Sequence, residues 1–554
     1  MALAPQRRSI ATAANAPSTG KGLNITFGIE HEFLVLDSQR LNYQNQEKAD
    51  HGLSLVSEAL QKPMQITCSS CGQIHDYEQP IHVQDRVNDN SDHSCWNLVG
   101  DLSMKLKPRH DAILREKGCE AYGVELTSRV LSADRHLTTT RPRAQAKHVH
   151  AASYQEEISR FINTLKGLFP IQATAIGHRQ ERRAVVNDTC SLHVHIGNGT
   201  AGFELQTVKN LLSICTACER IMDSMHTASR IGSSALAFSP LDDYTFESDA
   251  DIMAVAKDGS RTPLLYNRSL TERMFSNAYA TRRNDSDTPL LAAARGRYPA
   301  SQMNRNATLK AAASGYHPMA FVEVIQQAPY IESLQYLLSL CCETSVNILH
   351  LVVIVDESVN EERSYRRLNT IEFRQHAAVT NSEEALAWID LLQTLVKYAH
   401  SQSAECIRSI CEHVASDPHF GLVDLFELLG VGQETQAFYL TRTRDAVQAT
   451  FDLERAEAEA LDPGHPFRAI SLELINERAA DHDPDNVARI IREKFAEGGY
   501  GQFSRAFLDG YAPDLSDEDK ERLTIGWVPP TMTEFDIRDL DDDMTIDDDD
   551  QMLF

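Results

Sequence analysis

Four short segments of this chain carry acids, imidazoles and a guanidinium two residues apart, the spacing at which side chains of an extended strand share one face. In Gly28-Ile29-Glu30-His31-Glu32-Phe33, Glu30 and Glu32 lie opposite Ile29 and Phe33, with His31 among the apolar residues. In Gly123-Val124-Glu125-Leu126-Thr127, Glu125 and Thr127 oppose Val124 and Leu126. In Ser191-Leu192-His193-Val194-His195-Ile196, both imidazoles share a face, and in Thr370-Ile371-Glu372-Phe373-Arg374-Gln375-His376 the alternation puts Glu372, Arg374 and His376 together. A Glu-x-Glu pair in mid-strand repels itself unless cations occupy it. Carboxylates and imidazoles on one face are ligands for divalent cations, and Mg²⁺ held by carboxylates keeps waters and nucleotide phosphate oxygens in its shell. The implied chemistry is metal-assisted work on a nucleotide. A solvated sheet face gives the same alternation, but more often with Lys, Thr, Ser and Gln; four such strands together favour the site.

Positioning these groups requires a sheet with one ligand-bearing face and helices packed on the other. The expected fold class is therefore α+β, built on an antiparallel sheet and followed by a helical C-terminal region. Regular structure is expected from Leu23 to about residue 415, with polar insertions at about 51–92 and 232–318. Apolar residues recur at helical spacing from Glu204 to Arg230, with Leu205, Val208, Leu212, Cys215 and Met222 on the buried stripe. A helical pattern also covers Ile331 to Val355. Asn381, with Glu384 three residues on, resembles a capping box opening a helix that runs to about Cys411. Residues 416–530 read as an accessory helical region, including Leu422–Leu429 and Asp485–Ala496.

With 554 residues, 42% apolar and 24% charged, the chain has ample material for a large core. No run approaches the ~18 apolar residues that span a bilayer, so neither a membrane nor, at a net charge of −26, a nucleic acid is an expected partner. Part of that charge is local: between Glu534 and Asp550 ten acids face only Arg538, so residues 531–554 are expected to be a disordered acidic tail. Residues 1–22 are expected to be disordered as well. The odd count of eleven cysteines, many in apolar stretches such as Cys341 and Cys342, suits a reducing, cytoplasmic setting.

Taken in order, Phe27-Gly28-Ile29-Glu30-His31-Glu32-Phe33, Trp96 with Asp101, Gly123-Val124-Glu125-Leu126-Thr127-Ser128, Leu192-His193-Val194-His195-Ile196-Gly197 and Thr370-Ile371-Glu372-Phe373-Arg374-Gln375-His376 resemble the amidoligase family of fungal and bacterial proteins, relatives of glutamine synthetase and glutamate-cysteine ligase. The resemblance spans roughly residues 22 to 415 and departs from the family pattern at Arg129, where Pro is usual, and at Ser191, where Gly is usual. It implies a glutamine synthetase-like fold and an ATP- and Mg²⁺-dependent ligase, Mn²⁺ being an alternative metal, that joins a carboxylate to an amine through an acyl phosphate. Glu30 and Glu32 would each serve one metal, Glu125 would complete one site, and His193 with Glu372 the other. His195 and Arg374 would act on the nucleotide phosphates or the phosphorylated substrate, with His376 beside them. Small-molecule or peptide carboxylates and amines are the implied substrates; which ones, and the oligomeric state, are left open.

Two other readings use the same residues: a metal-dependent hydrolase built on His193 and His195, which would need a repeated β/α barrel that the sequence lacks, and a non-catalytic scaffold of the same fold. Cys68, Cys71, His75, His93 and Cys95 have spacings that could hold zinc. Glu219, Asp223, His226 and Arg230, about one helical turn apart, fit either the family pattern or a surface ion-pair ladder.

Overall fold

The computed structural model describes residues 22–37, 64–67, 73–77, 81–83, 94–101, 104–132, 153–166, 168–173, 179–231, 345–351, 368–417 and 420–496, with isolated positions within 53–60, 322–334 and 516–517. Both long insertions lie largely or wholly outside the described residues, as do the acidic tail and Cys68, Cys71 and His93.

The strands, in chain order, are β1 (Ile25–Asp37), β2 (Met64–Thr67), β3 (Ile74–Tyr77), β4 (Ile81–Val83), β5 (Trp96–Gly100), β6 (Glu120–Thr127), β7 (Leu131–Ser132), β8 (Leu168–Ala173), β9 (Arg179–Val185), β10 (Ser191–Asn198), β11 (Val346–Asn347) and β12 (Thr370–Ala377). Ten of them form one sheet in the order β11-β12-β10-β1-β6-β5-β4, with β7 and β9 also on β1 and β8 on β9; β2 and β3 pair separately. Among the described strands only the β4–β5 pairing is parallel. The long β1 is central: its first half pairs with β10 and its second with β6 and β9.

Helices cover the apolar face. They are α1 (Pro108–Glu116), α2 (Tyr154–Lys166), α3 (Leu205–Ala217), α4 (Glu219–Asp223), α5 (Ser382–Ser401), α6 (Ala404–Ser416), α7 (Leu422–Leu429), α8 (Gln433–Leu440), α9 (Arg444–Glu459), α10 (Arg468–Asp481) and α11 (Pro484–Ala496). Phe27, Ile29 and Phe33 of β1 are buried on this side, Phe27 edge-on to Tyr154 of α2 at 5.0 Å between centroids. α5 crosses behind β10 and packs on α2, α3 and α8. Every residue of α3 from Thr207 to Ala217 is buried, the pattern of a helix enclosed on all sides. Phe426, Tyr439, Phe467 and Leu474 of the C-terminal helices join the same core as the strands.

Local chemistry corrects several element boundaries. Asn381 does cap α5, accepting from the Glu383 N–H, but Glu384 pairs with Arg442 of the α8–α9 connection instead of reaching back to close a capping box. The helix ends at Ser401, and Ser403 caps the separate α6 by accepting from the Cys406 N–H. The stretch from Glu204 breaks at Cys218 and closes in a 3-10 turn at Ala228–Arg230. The described end of the expected 331–355 helix is instead β11 and a 3-10 turn, Leu349–Leu351. Glu219, Asp223, His226 and Arg230 are all buried, so they are not a surface ladder.

Candidate functional site

Strand register brings the chemical residues together. Glu30 stands opposite His193 on β10 and Thr127 on β6, Glu32 opposite Glu125, and His195 opposite Glu372 of β12. Directly opposed residues point to the same face with Cβ atoms about 4.5–5.5 Å apart. These pairings alone therefore converge four glutamates and two histidines. Asp101 joins them because Gly123 lets the chain after β5 close in: a Cβ at Gly123 would lie 2.2 Å from the Asp101 carbonyl, and Asp101 N–H donates to the Gly123 carbonyl at 3.1 Å.

Three groups result among the described residues, each with one potential ligand atom per residue within 4.8 Å of the others: Glu32, Asp101 and Glu125; Glu30, His193 and Glu372; His195, His350 and Glu372. The first is all carboxylate, a donor set for a hard cation, and the other two mix imidazole with carboxylate. Glu372 belongs to two of them. Its Oε1 lies 3.6 Å from His193 Nδ1 and 3.9 Å from His195 Nε2 and is bonded by Arg374, while Oε2 accepts from Asn347 Nδ2 at 2.7 Å and lies 3.6 Å from His350 Nε2. Glu30 bridges the two β10 imidazoles, Oε2 to His193 Nδ1 and Oε1 to His195 Nε2, both at 3.0 Å. Glu32 accepts the Ser191 N–H at 2.7 Å, and Glu125 accepts from Thr127 Oγ1 at 2.9 Å.

The electrostatics divide the acids into two kinds. Burial pushes the Glu30 carboxyl up, but His195 and His193 outweigh it and hold Glu30 well below the usual carboxylate range. Glu372 is treated alike: burial raises it, and Arg374, His350 and His195 bring it far down. Glu125 goes the other way. Burial, followed by the charges of Glu30, Glu32 and Asp101, pushes it well above its usual range, as expected of an acid whose neighbours are acids. Burial lowers His195, but Glu30 more than compensates and the imidazole is raised.

Of the residues singled out from the sequence, Glu30, Glu32, Glu125, His193, His195, Glu372 and Arg374 share this face. His376 does not. β10 and β12 pair in register from Gly197–Thr370 to Val194–Phe373, then shift by one residue so that His376 stands opposite Leu192. The extra residue in β12 is a β-bulge, which reverses the alternation beyond it. His376 consequently faces the helix layer, 5.4 Å from the Trp388 ring and 5.6 Å from His226. Asp101 and His350 were not singled out as ligands, and neither was Asn347 as a support. Asp101 follows its strand's last residue and His350 sits in a 3-10 turn, so neither carries a periodic signal.

Residues 23–243 match the family model described as "Putative amidoligase enzyme", the family that the strand motifs resemble. The match takes in β1 to β10 and stops short of β11 and β12, which bring Asn347, Glu372 and Arg374. Comparison with curated proteins and with solved structures gives no match.

Proposed function

We propose that this protein is an ATP- and Mg²⁺-dependent carboxylate-amine ligase of glutamine synthetase-like fold, forming an amide through an acyl phosphate. The observation that carries this reading is the convergence of three sets of potential metal ligands, one all carboxylate and two that share Glu372, on one face of one sheet. In the reaction the substrate carboxylate attacks the γ-phosphorus of ATP, ADP leaves, and an amine then displaces phosphate from the acyl carbon. Glu32, Asp101 and Glu125 would hold one cation, and Glu30, His193 and Glu372 another. Bound there, divalent cations neutralise charge on the phosphate oxygens.

The chain's own groups do the positioning. Arg374, with 16% of its side chain exposed and anchored on Glu372, presents a planar fork suited to phosphoryl oxygens. His195, whose pKa the Glu30 carboxylate raises, is a second group that can donate toward the same anion. Small-molecule or peptide substrates suit a recessed site on so acidic a chain better than nucleic acid does. The test is ADP release by the purified protein with pooled carboxylates and amines. Release that requires both Mg²⁺ or Mn²⁺ and an amine, and that disappears in Arg374→Ala, is the expected result. Failure of ATP to bind or to raise the melting temperature with either metal present would sink the proposal.

A further inference from the structure

Of the three ligand sets, the one formed by His195, His350 and Glu372 differs most in donor chemistry from what Mg²⁺ takes. Mg²⁺ is bound by oxygen, whereas two imidazoles with one carboxylate suit Zn²⁺ and its first-row neighbours. A zinc site with three protein ligands and one open position is tetrahedral, with bonds of ~2.0–2.2 Å and ligand atoms therefore roughly 3.3–3.6 Å apart. Here Glu372 Oε2 lies 3.6 Å from His350 Nε2, and Oε1 lies 3.9 Å from His195 Nε2. The His350 side chain is 28% exposed, so it has room to close the shell and leaves the fourth position facing solvent.

A second observation points to a ligand. His195 is 8% exposed, and its Nε2 makes no hydrogen bond, although Glu30 Oε1 lies 3.0 Å away. Buried polar atoms without partners are uncommon and ask for an explanation. With Nδ1 donating to Thr370 Oγ1 at 3.3 Å, Nε2 keeps its lone pair, which is how a metal-bound histidine is oriented by the group behind it. Asn347 supports the other two ligands at once. Its Nδ2 donates to Glu372 Oε2 at 2.7 Å, and its Oδ1 accepts from the Leu349 N–H at 2.9 Å, fixing the 3-10 turn that carries His350. The far side of that turn is tied to β12, because the Asn369 N–H donates to the His350 carbonyl at 3.1 Å from a left-handed backbone, φ 55°. Arg374 holds Oε1 of Glu372, while Oε2, with one lone pair on Asn347, retains another for a metal.

We propose that His195, His350 and Glu372 form a binding site for one divalent transition metal of the Zn²⁺ class, distinct from the two sets assigned to Mg²⁺ and sharing only Glu372 with them. Coordination occupies the Nε2 lone pair of His195, so a metal here and donation from that atom to an anion exclude each other. The site is defined by its donor atoms and stands whether or not the protein turns over ATP.

Titration of the metal-free full chain with Co²⁺, followed by visible absorption and then by displacement with Zn²⁺, tests this without nucleotide. Saturable d–d bands without thiolate-to-cobalt charge transfer are expected, bleached by one equivalent of Zn²⁺. His350→Ala touches neither Mg²⁺ set. It should remove the bands and weaken Zn²⁺ binding, measured by calorimetry, about tenfold or more, while any stabilisation of the melting temperature by Mg²⁺ is unchanged. His193→Ala, in the neighbouring set, should keep the bands. Zn²⁺ affinity unchanged in His350→Ala, bands that survive His350→Ala but vanish in His193→Ala, or a spectrum showing thiolate charge transfer alone would each overturn the assignment.

Discussion

Glu372 is the residue on which the sheet face depends most, because each of its oxygens has its own partners. Removing its charge while keeping its shape isolates that dependence. Glu372→Gln can still accept from Asn347 or Arg374, but it loses the charge that two of the three ligand groups share. Nucleotide turnover in this variant is expected to fall by a factor of roughly 10²–10³, the scale at which single preorganised groups act, and the melting temperature of the metal-free protein should fall at neutral pH, because Arg374, His350 and His195 favour the ionised carboxylate. Glu125 should behave in the opposite sense. Its carboxyl is raised in the folded protein above the value near 4.5 that it has when unfolded, so its contribution to stability is complete below that pH and is lost as pH rises. At neutral pH without cations it is a net cost, and Glu125→Gln should raise the melting temperature, by roughly 1 °C for each kcal/mol recovered in a chain of this size. The same change should remove stabilisation by Mg²⁺. A melting temperature that falls in the absence of metal would show that the carboxylate cluster is not repulsive.

Within the strands, alternation makes most of the site legible, since a period of two assigns faces without knowledge of neighbours. Glu30, Glu32, Glu125, His193, His195, Glu372 and Arg374 follow it. The bulge in β12 is invisible to such reasoning, because an extra residue is defined only relative to the partner strand, and His376 is misplaced for that reason. Asp101 and His350 escape because close approach across Gly123 and the turn after β11 are tertiary facts. The α5–α6 break was missed although Ser403 is an ordinary cap residue, since the apolar period continues through it. Two substitutions test the element geometry. His376→Phe should leave turnover within a few-fold of the unaltered protein while changing stability, whereas Arg374→Ala should cost about two orders of magnitude in turnover. Comparable losses in both would return His376 to the site face. Gly123→Ala forces the Asp101 backbone away and should weaken Mg²⁺ stabilisation without any ligand being replaced.

At the scale of the whole molecule, the apolar core runs without interruption from β1 through α5 to α10, and ionisable groups are sealed into it. His31, His226 and His376 are each at most 5% exposed, and burial lowers all three, His31 to about 4. A histidine whose folded value lies below its unfolded value near 6.5 supports the fold fully above 6.5. That support is lost as pH falls toward the folded value, because the unfolded chain takes up a proton the folded one refuses. For His31 alone the difference amounts to roughly 3 kcal/mol. His195, being raised, gives support that is complete below pH 6.5 and lost only as pH rises above it, and Glu384, lowered to about 2, gives support that is complete above 4.5 and lost only as pH falls below it. Urea midpoints of the metal-free protein should therefore drop between pH 6.5 and 4.5, the loss from the imidazoles exceeding the opposite contribution of Glu125, with an unfolding-linked uptake of more than one proton. Replacing His376 by Phe should make that slope shallower. A midpoint that stays level until pH 4.5 would mean that these imidazoles are hydrated in solution and that the helix layer does not seal the back of the sheet.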